Sequence, residues 1–96
     1  MFFMRQYALN LEKQGISYDR YRELIHFCRQ YAELEKENRE LIRTAAAETA
    51  GEYAEILISA ICGGELPYRY LALPYSEAQY KRIRRSFFKR LHELKK

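Results

Sequence analysis

The residues best suited to chemistry are cationic and crowd the end of the chain: Lys81, Arg82, Arg84, Arg85, Lys89 and Arg90. Placed on a helix at about 100° per residue, Lys81, Arg82, Arg85 and Lys89 share one side, with Arg84 and Arg90 on its flanks. Tyr80, Ile83, Phe87, Leu91 and Leu94 recur at three- and four-residue steps and form an apolar stripe on the opposite side. Such a helix turns rings toward a protein body and presents cations to a polyanion. The outward row is Ala78, Lys81, Arg82, Arg85 and Lys89. Ala78 is small enough to approach a thymine methyl, and the guanidinium of Arg82 or Arg85 has the fork that matches a guanine edge. Arg69, Ser76 and Arg84 suit phosphates, which position a protein without reading sequence. With four to six phosphates neutralised, log K falls against log salt with a slope of roughly −4 to −5. The competing reading of such a run is a solvated helix face.

Charge distribution favours the polyanion. The net charge is +4, yet residues 1–64 carry eight Lys/Arg against ten Asp/Glu, while residues 65–96 carry nine against three. The basic excess is local, as expected of an electrostatic footprint. Other chemistries find less support. His26 and His92 lie in helical patterns without a Ser, Cys or carboxylate at catalytic spacing, and no glycine loop could cradle a phosphate, so no enzyme is expected. Cys28 and Cys62 are distant in sequence and have no His or Cys at metal-ligand spacing. They read as small buried hydrophobes in a reducing cytoplasm, not as a disulfide. No metal, cofactor or small-molecule ligand is expected. The apolar start, Met1 to Met4, is broken at Arg5 and is too short for a signal peptide or a membrane span.

The elements that must position these residues are helical. Ninety-six residues, 48% of them hydrophobic and with nine Tyr and five Phe, suit one all-α domain, a small bundle of four to five helices. Phe3, Tyr7 and Leu11 predict a helix over 2–13, closed at Gly15 by a left-handed residue. Ser17 reads as the N-cap of a long helix over about 18–43, with Ile16 and Tyr21 as a hydrophobic staple. In that helix Leu24, Phe27, Tyr31, Leu34, Asn38 and Leu41 keep a heptad rhythm, and an Asn in such a seam fixes register in dimers. A second apolar row, Tyr21, Ile25, Cys28 and Ala32, accompanies only its first half. The seam fits a homodimer, a docking surface for a partner, or a helix hairpin within one chain. A third helix is expected over 45–62, with a break near 48 where Thr49 and Glu52 match a capping box, and an end at Gly63 and Gly64. Beyond it, Pro67 opens a short helix over 66–72, Pro74 stops any helix from running through, and Ser76 caps the basic helix over 76–94. The domain thus divides into a helical part over 1–64 and a basic part over 65–96. A short helix, a tight turn and a longer basic helix are the parts of a helix-turn-helix.

Tyr70, Leu71, Ala72, Leu73, Pro74, Tyr75 and Ser76, followed by Tyr80, Arg82, Ile83 and Arg85, resemble the C-terminal end of phage ArpU-type transcriptional regulators, themselves similar to region 4 of bacterial sigma factors. The stretch from Tyr21 to Tyr31 resembles small proteins of Firmicutes prophages and mobile elements. The resemblance covers about a third of the chain and implies a DNA-binding regulator with Ser76 to Lys89 as its recognition helix. The chain departs from the pattern at Tyr70, where the family has a small residue, and at Pro74, where it has glycine. The rival expectation is a small accessory or inhibitor protein that docks on a host protein or nucleoprotein complex, such as an anti-phage nuclease, through helix 18–43. Membrane-surface binding is disfavoured, because the aromatic stripe is needed for the core.

Overall fold

Ser17 and Ser76 each start a helix, and Gly51 and Gly63 each close one. The computed structural model describes residues 15–63 and 74–95. Within them lie α1 (Tyr18–Arg29), α2 (Lys36–Ala50), α3 (Ala54–Cys62) and α4 (Glu77–Leu94), with 3-10 turns at Tyr31–Glu33 and Gly51–Tyr53. The described residues are all-helical, with no strand. The helices expected over 2–13 and 66–72 lie outside the described residues, as does Arg69.

α1 begins as its residues dictate. The Ser17 hydroxyl accepts from the Arg20 N–H at 3.1 Å, Asp19 sits in the first turn, and Ile16 and Tyr21 are both buried in the core. Gly15 just ahead takes φ 85°, a left-handed value that glycine adopts without steric penalty.

The expected helix over 18–43 is two helices. α1 ends at Arg29, the chain makes a 3-10 turn, Leu34 and Glu35 are extended, and α2 starts at Lys36. The physical reason is burial. Leu24 and Ile42 belong to one core cluster, each with no exposed surface, whereas 18 residues of unbroken helix would hold them about 27 Å apart. Folding back puts both on the same core. The heptad seam is dispersed by the same break. Leu24 is buried, Phe27, Tyr31, Leu34 and Leu41 pack partly buried against the core, and Asn38 is exposed. Arg43 on α2 pins the turn, donating from Nη1 to the Tyr31 hydroxyl at 3.3 Å and pairing through Nη2 with Glu55 at 3.0 Å.

The helix expected over 45–62 is likewise divided. Its first six residues belong to α2, which closes at Gly51 (φ 57°, ψ −125°), and α3 follows after one 3-10 turn. Thr49 caps nothing. Its hydroxyl donates backward to the Ala45 carbonyl at 2.7 Å, inside the helix.

α2 is the hub, packing most extensively on α4 and next on α3. Ala45, Ala46 and Ala50 are buried along it, and their small side chains let neighbouring helices come close. α4 contributes Tyr80, Phe87, Phe88 and Leu91 to the core. Phe88 meets Tyr21 of α1 edge-on, with ring centroids 5.2 Å apart, and meets Phe87 in the same manner at 5.1 Å.

Candidate nucleic-acid interface

The face of interest is the outward side of α4, and the helix that carries it is fixed at both ends. At its start Ser76 and Gln79 form a reciprocal capping box: the Ser76 hydroxyl accepts from the Gln79 N–H at 3.2 Å, and the Ser76 N–H donates to Gln79 Oε1 at 3.0 Å. Tyr75, just ahead, meets Tyr53 edge-on with centroids 5.6 Å apart, which holds the entry turn against the 3-10 turn that precedes α3. At the far end Arg20 of α1 donates from Nε to His92 Nδ1 at 3.0 Å, and the Lys95 ammonium sits 4.7 Å from the centre of the Phe27 ring. Toward the same end, Arg90 reaches Glu48 of α2 with two hydrogen bonds, from Nε and, at 3.3 Å, from Nη2. That guanidinium holds the Glu48 carboxyl below the ordinary carboxylate range.

These contacts sort the cations. Arg90 is committed to Glu48 and lies 3.9 Å from Glu93 as well. Arg84 does not face outward as a phosphate contact should. It is half-buried, its guanidinium lies 5.7 Å from the Phe88 ring centre, and its charge is felt by the buried Cys28 thiol. The cause is its place on the helix, one turn ahead of Phe88 and on the same side. Lys81 is half-buried and 4.0 Å from Glu77 one turn earlier, a pairing of modest strength at the surface. Arg82 and Lys89 are exposed and Arg85 partly so, and no acid among the described residues pairs with any of the three. Ala78 is exposed on the same side, and Ser86, which the sequence reading passed over, joins it. From Ala78 to Lys89 the row is about 16 Å long, close to five base steps of one strand. Ser76 is exposed, with its hydroxyl oxygen engaged in the cap and its hydroxyl hydrogen left to donate.

Comparison with models of protein families, with curated proteins and with solved structures finds no match for this chain. The geometry therefore carries the functional reading. Among the described residues no group of His, Cys, Asp and Glu could hold a metal ion, and no helix is long and apolar enough to cross a membrane.

Sequence reasoning missed one juxtaposition. Cys28 on α1 lies in the core, and Cys62 at the end of α3, 34 positions away in the chain, packs against the same core. Both are free thiols, Cys28 buried and Cys62 half-buried. Their apolar settings were legible, but nothing in their spacing announced that both face one core, which depends on how α1 packs on α3.

Proposed function

We propose that this protein binds nucleic acid, duplex DNA by preference, through the outward face of α4. The observation that carries the reading is the row Arg82, Arg85 and Lys89, three cations with no acidic partner among the described residues, on a helix whose opposite face is locked into the core. A fixed helix presents such groups with little ordering cost on binding. Phosphates meet Lys89 and Lys81, with the Ser76 hydroxyl at the helix start, while Arg82 and Arg85 are the groups able to fork onto a guanine. The resemblance to ArpU-type regulators points the same way and suggests a regulator borne by a phage or mobile element. Arg84, turned to the Phe88 ring, drops out of the contact set, and the flanking Arg90 is held by Glu48.

The reduced set changes the expected salt dependence. Two neutralised phosphates, one each at Lys81 and Lys89, give a slope of log K against log salt of about −2. Fluorescence anisotropy with a labelled duplex, from low to physiological salt, should show this slope. The double substitution Arg82→Ala and Arg85→Ala should remove most of the affinity while far-UV circular dichroism stays unchanged. Equal binding by the double variant would refute the proposed face. Failure of the protein to bind any free duplex at low salt would instead support the accessory-factor reading, in which a host complex supplies the binding site.

A further inference from the structure

A guanidinium donates hydrogen bonds and accepts none, and it keeps its charge at every pH a folded protein meets. Arg20 Nε of α1 lies 3.0 Å from His92 Nδ1 of α4, so Nδ1 must be the acceptor there and carries no proton. The contact is partly buried, and Glu23 Oε2 holds the Nη1 arm of the same guanidinium at 3.3 Å. It closes the flank of α4 on which Lys95 also meets Phe27 of α1. Arg90, two residues before His92, ties the other flank to Glu48 of α2. Among the described residues, the charged groups around His92 are Arg20 and Glu23 from α1, with Lys89, Glu93 and Lys95 within one turn on α4. His92 lies in the last turn of α4, where the helix dipole favours a positive charge. That attraction is spread over an end partly open to water, whereas Arg20 is in direct contact, so Arg20 decides.

We infer that the Arg20–His92 contact is a proton-operated clasp between α1 and α4, closed while His92 is neutral and opened when its Nδ1 takes a proton. The imidazolium has two N–H donors and no acceptor, so the bond from Arg20 is lost. Two like charges then stand where there was one, and the side chains part. The α1 flank of α4 loosens. The α2 flank keeps its hold, because Glu48 stays ionised far below the pH at which histidine takes a proton. Since the folded state binds the neutral imidazole, the unfolded chain carries more protons in the histidine range. The clasp's contribution to stability is therefore complete above the unfolded histidine value of about 6.5 and is lost as pH falls below it.

The test uses the full chain and the variant His92→Asn, whose side chain does not titrate and whose Oδ1 can still accept from Arg20. Nitrogen-15 NMR of the wild type at about pH 8 should find His92 neutral, with Nδ1 bare and the proton on Nε2. Between about pH 8 and about pH 5.5, urea unfolding should show the wild type losing about threefold or more in its folding constant relative to His92→Asn. His26→Asn, at an exposed position on α1, should fall with the wild type. In an Arg20→Met background the pH-dependent difference between His92 and its Asn substitution should vanish. A proton on Nδ1 at about pH 8, or equal pH dependence of wild type and His92→Asn, would overturn the inference. So would a difference that survives undiminished without Arg20. The NMR reading is taken on the wild type, so the clasp is still judged where a variant fails to fold.

Discussion

Arg82 and Arg84 are two positions apart, have the same side chain and meet opposite fates. Two residues of helix turn the second by about 200°, from solvent to the side of Phe88, and the ring accepts the guanidinium there. The stripe of Tyr80, Phe87 and Leu91 could be read from sequence, but the width of the buried face could not, because it depends on how many helices surround α4. Phe88 widened that face and drew Arg84 with it. Arg90 shows the same limit: its partner Glu48 is 42 residues away, and no local pattern links them. The pair gives an acid-dependent term to stability. Glu48 has its folded-state pKa lowered, chiefly by the hydrogen bond from Arg90. Its contribution is therefore complete above the unfolded carboxylate value of about 4.3 and is lost as pH falls through the lower folded value. Arg90→Gln should lower the urea midpoint at neutral pH, and its difference from the wild type should shrink on acidification. A difference that stays constant across that range would remove the pair from the account.

At the scale of elements, the start of α4 was the most legible feature: Ser76 announces the cap, and Gln79 completes it from three residues on. The break between α1 and α2 was the least legible, for a geometric reason. The buried rows Tyr21, Leu24, Ile25, Cys28 and Ile42, Ala45, Ala46, Ala50 are offset by 14 residues at Cys28 and Ile42, just under four helical turns. The two stripes stay nearly in phase, so period counting runs across the gap without a fault. No Gly or Pro marks Gln30 to Glu35. The only hint was the second apolar row, which stops at Ala32. Gly51 is the clearer punctuation, and its role can be measured. A Cβ there would meet no atom within 4 Å, yet φ 57° with ψ −125° is a backbone conformation that side-chain-bearing residues rarely adopt. Gly51→Ala should therefore cost about 1–3 kcal/mol through backbone strain alone. Equilibrium urea unfolding reads this directly, and an unchanged midpoint would show that the turn relaxes.

Across the whole molecule, α1 and α4 meet around one aromatic knot. Phe88 touches rings on both its own helix and α1, so it joins the first described helix to the last. Phe88→Ala should cost about 3–5 kcal/mol, a large share of the 5–15 kcal/mol typical of a domain. Thermal unfolding followed by circular dichroism should register that loss, and a shift of a degree or less would mean the knot is redundant. The all-α class was legible from composition and periodicity, whereas the folding-back that builds one core from α1 and α2 was not.

The alanine row on α2 has a practical corollary. Ala46 is sealed among its neighbours and Ala47, the next residue, is open to solvent, so a single step along the backbone separates a site that tolerates no added bulk from one that welcomes it. A dye attached through a cysteine at Ala47 would ride outside the bundle as a passive reporter. The same attachment at Ala46 would act as a wedge, levering the hub away from the helices it gathers.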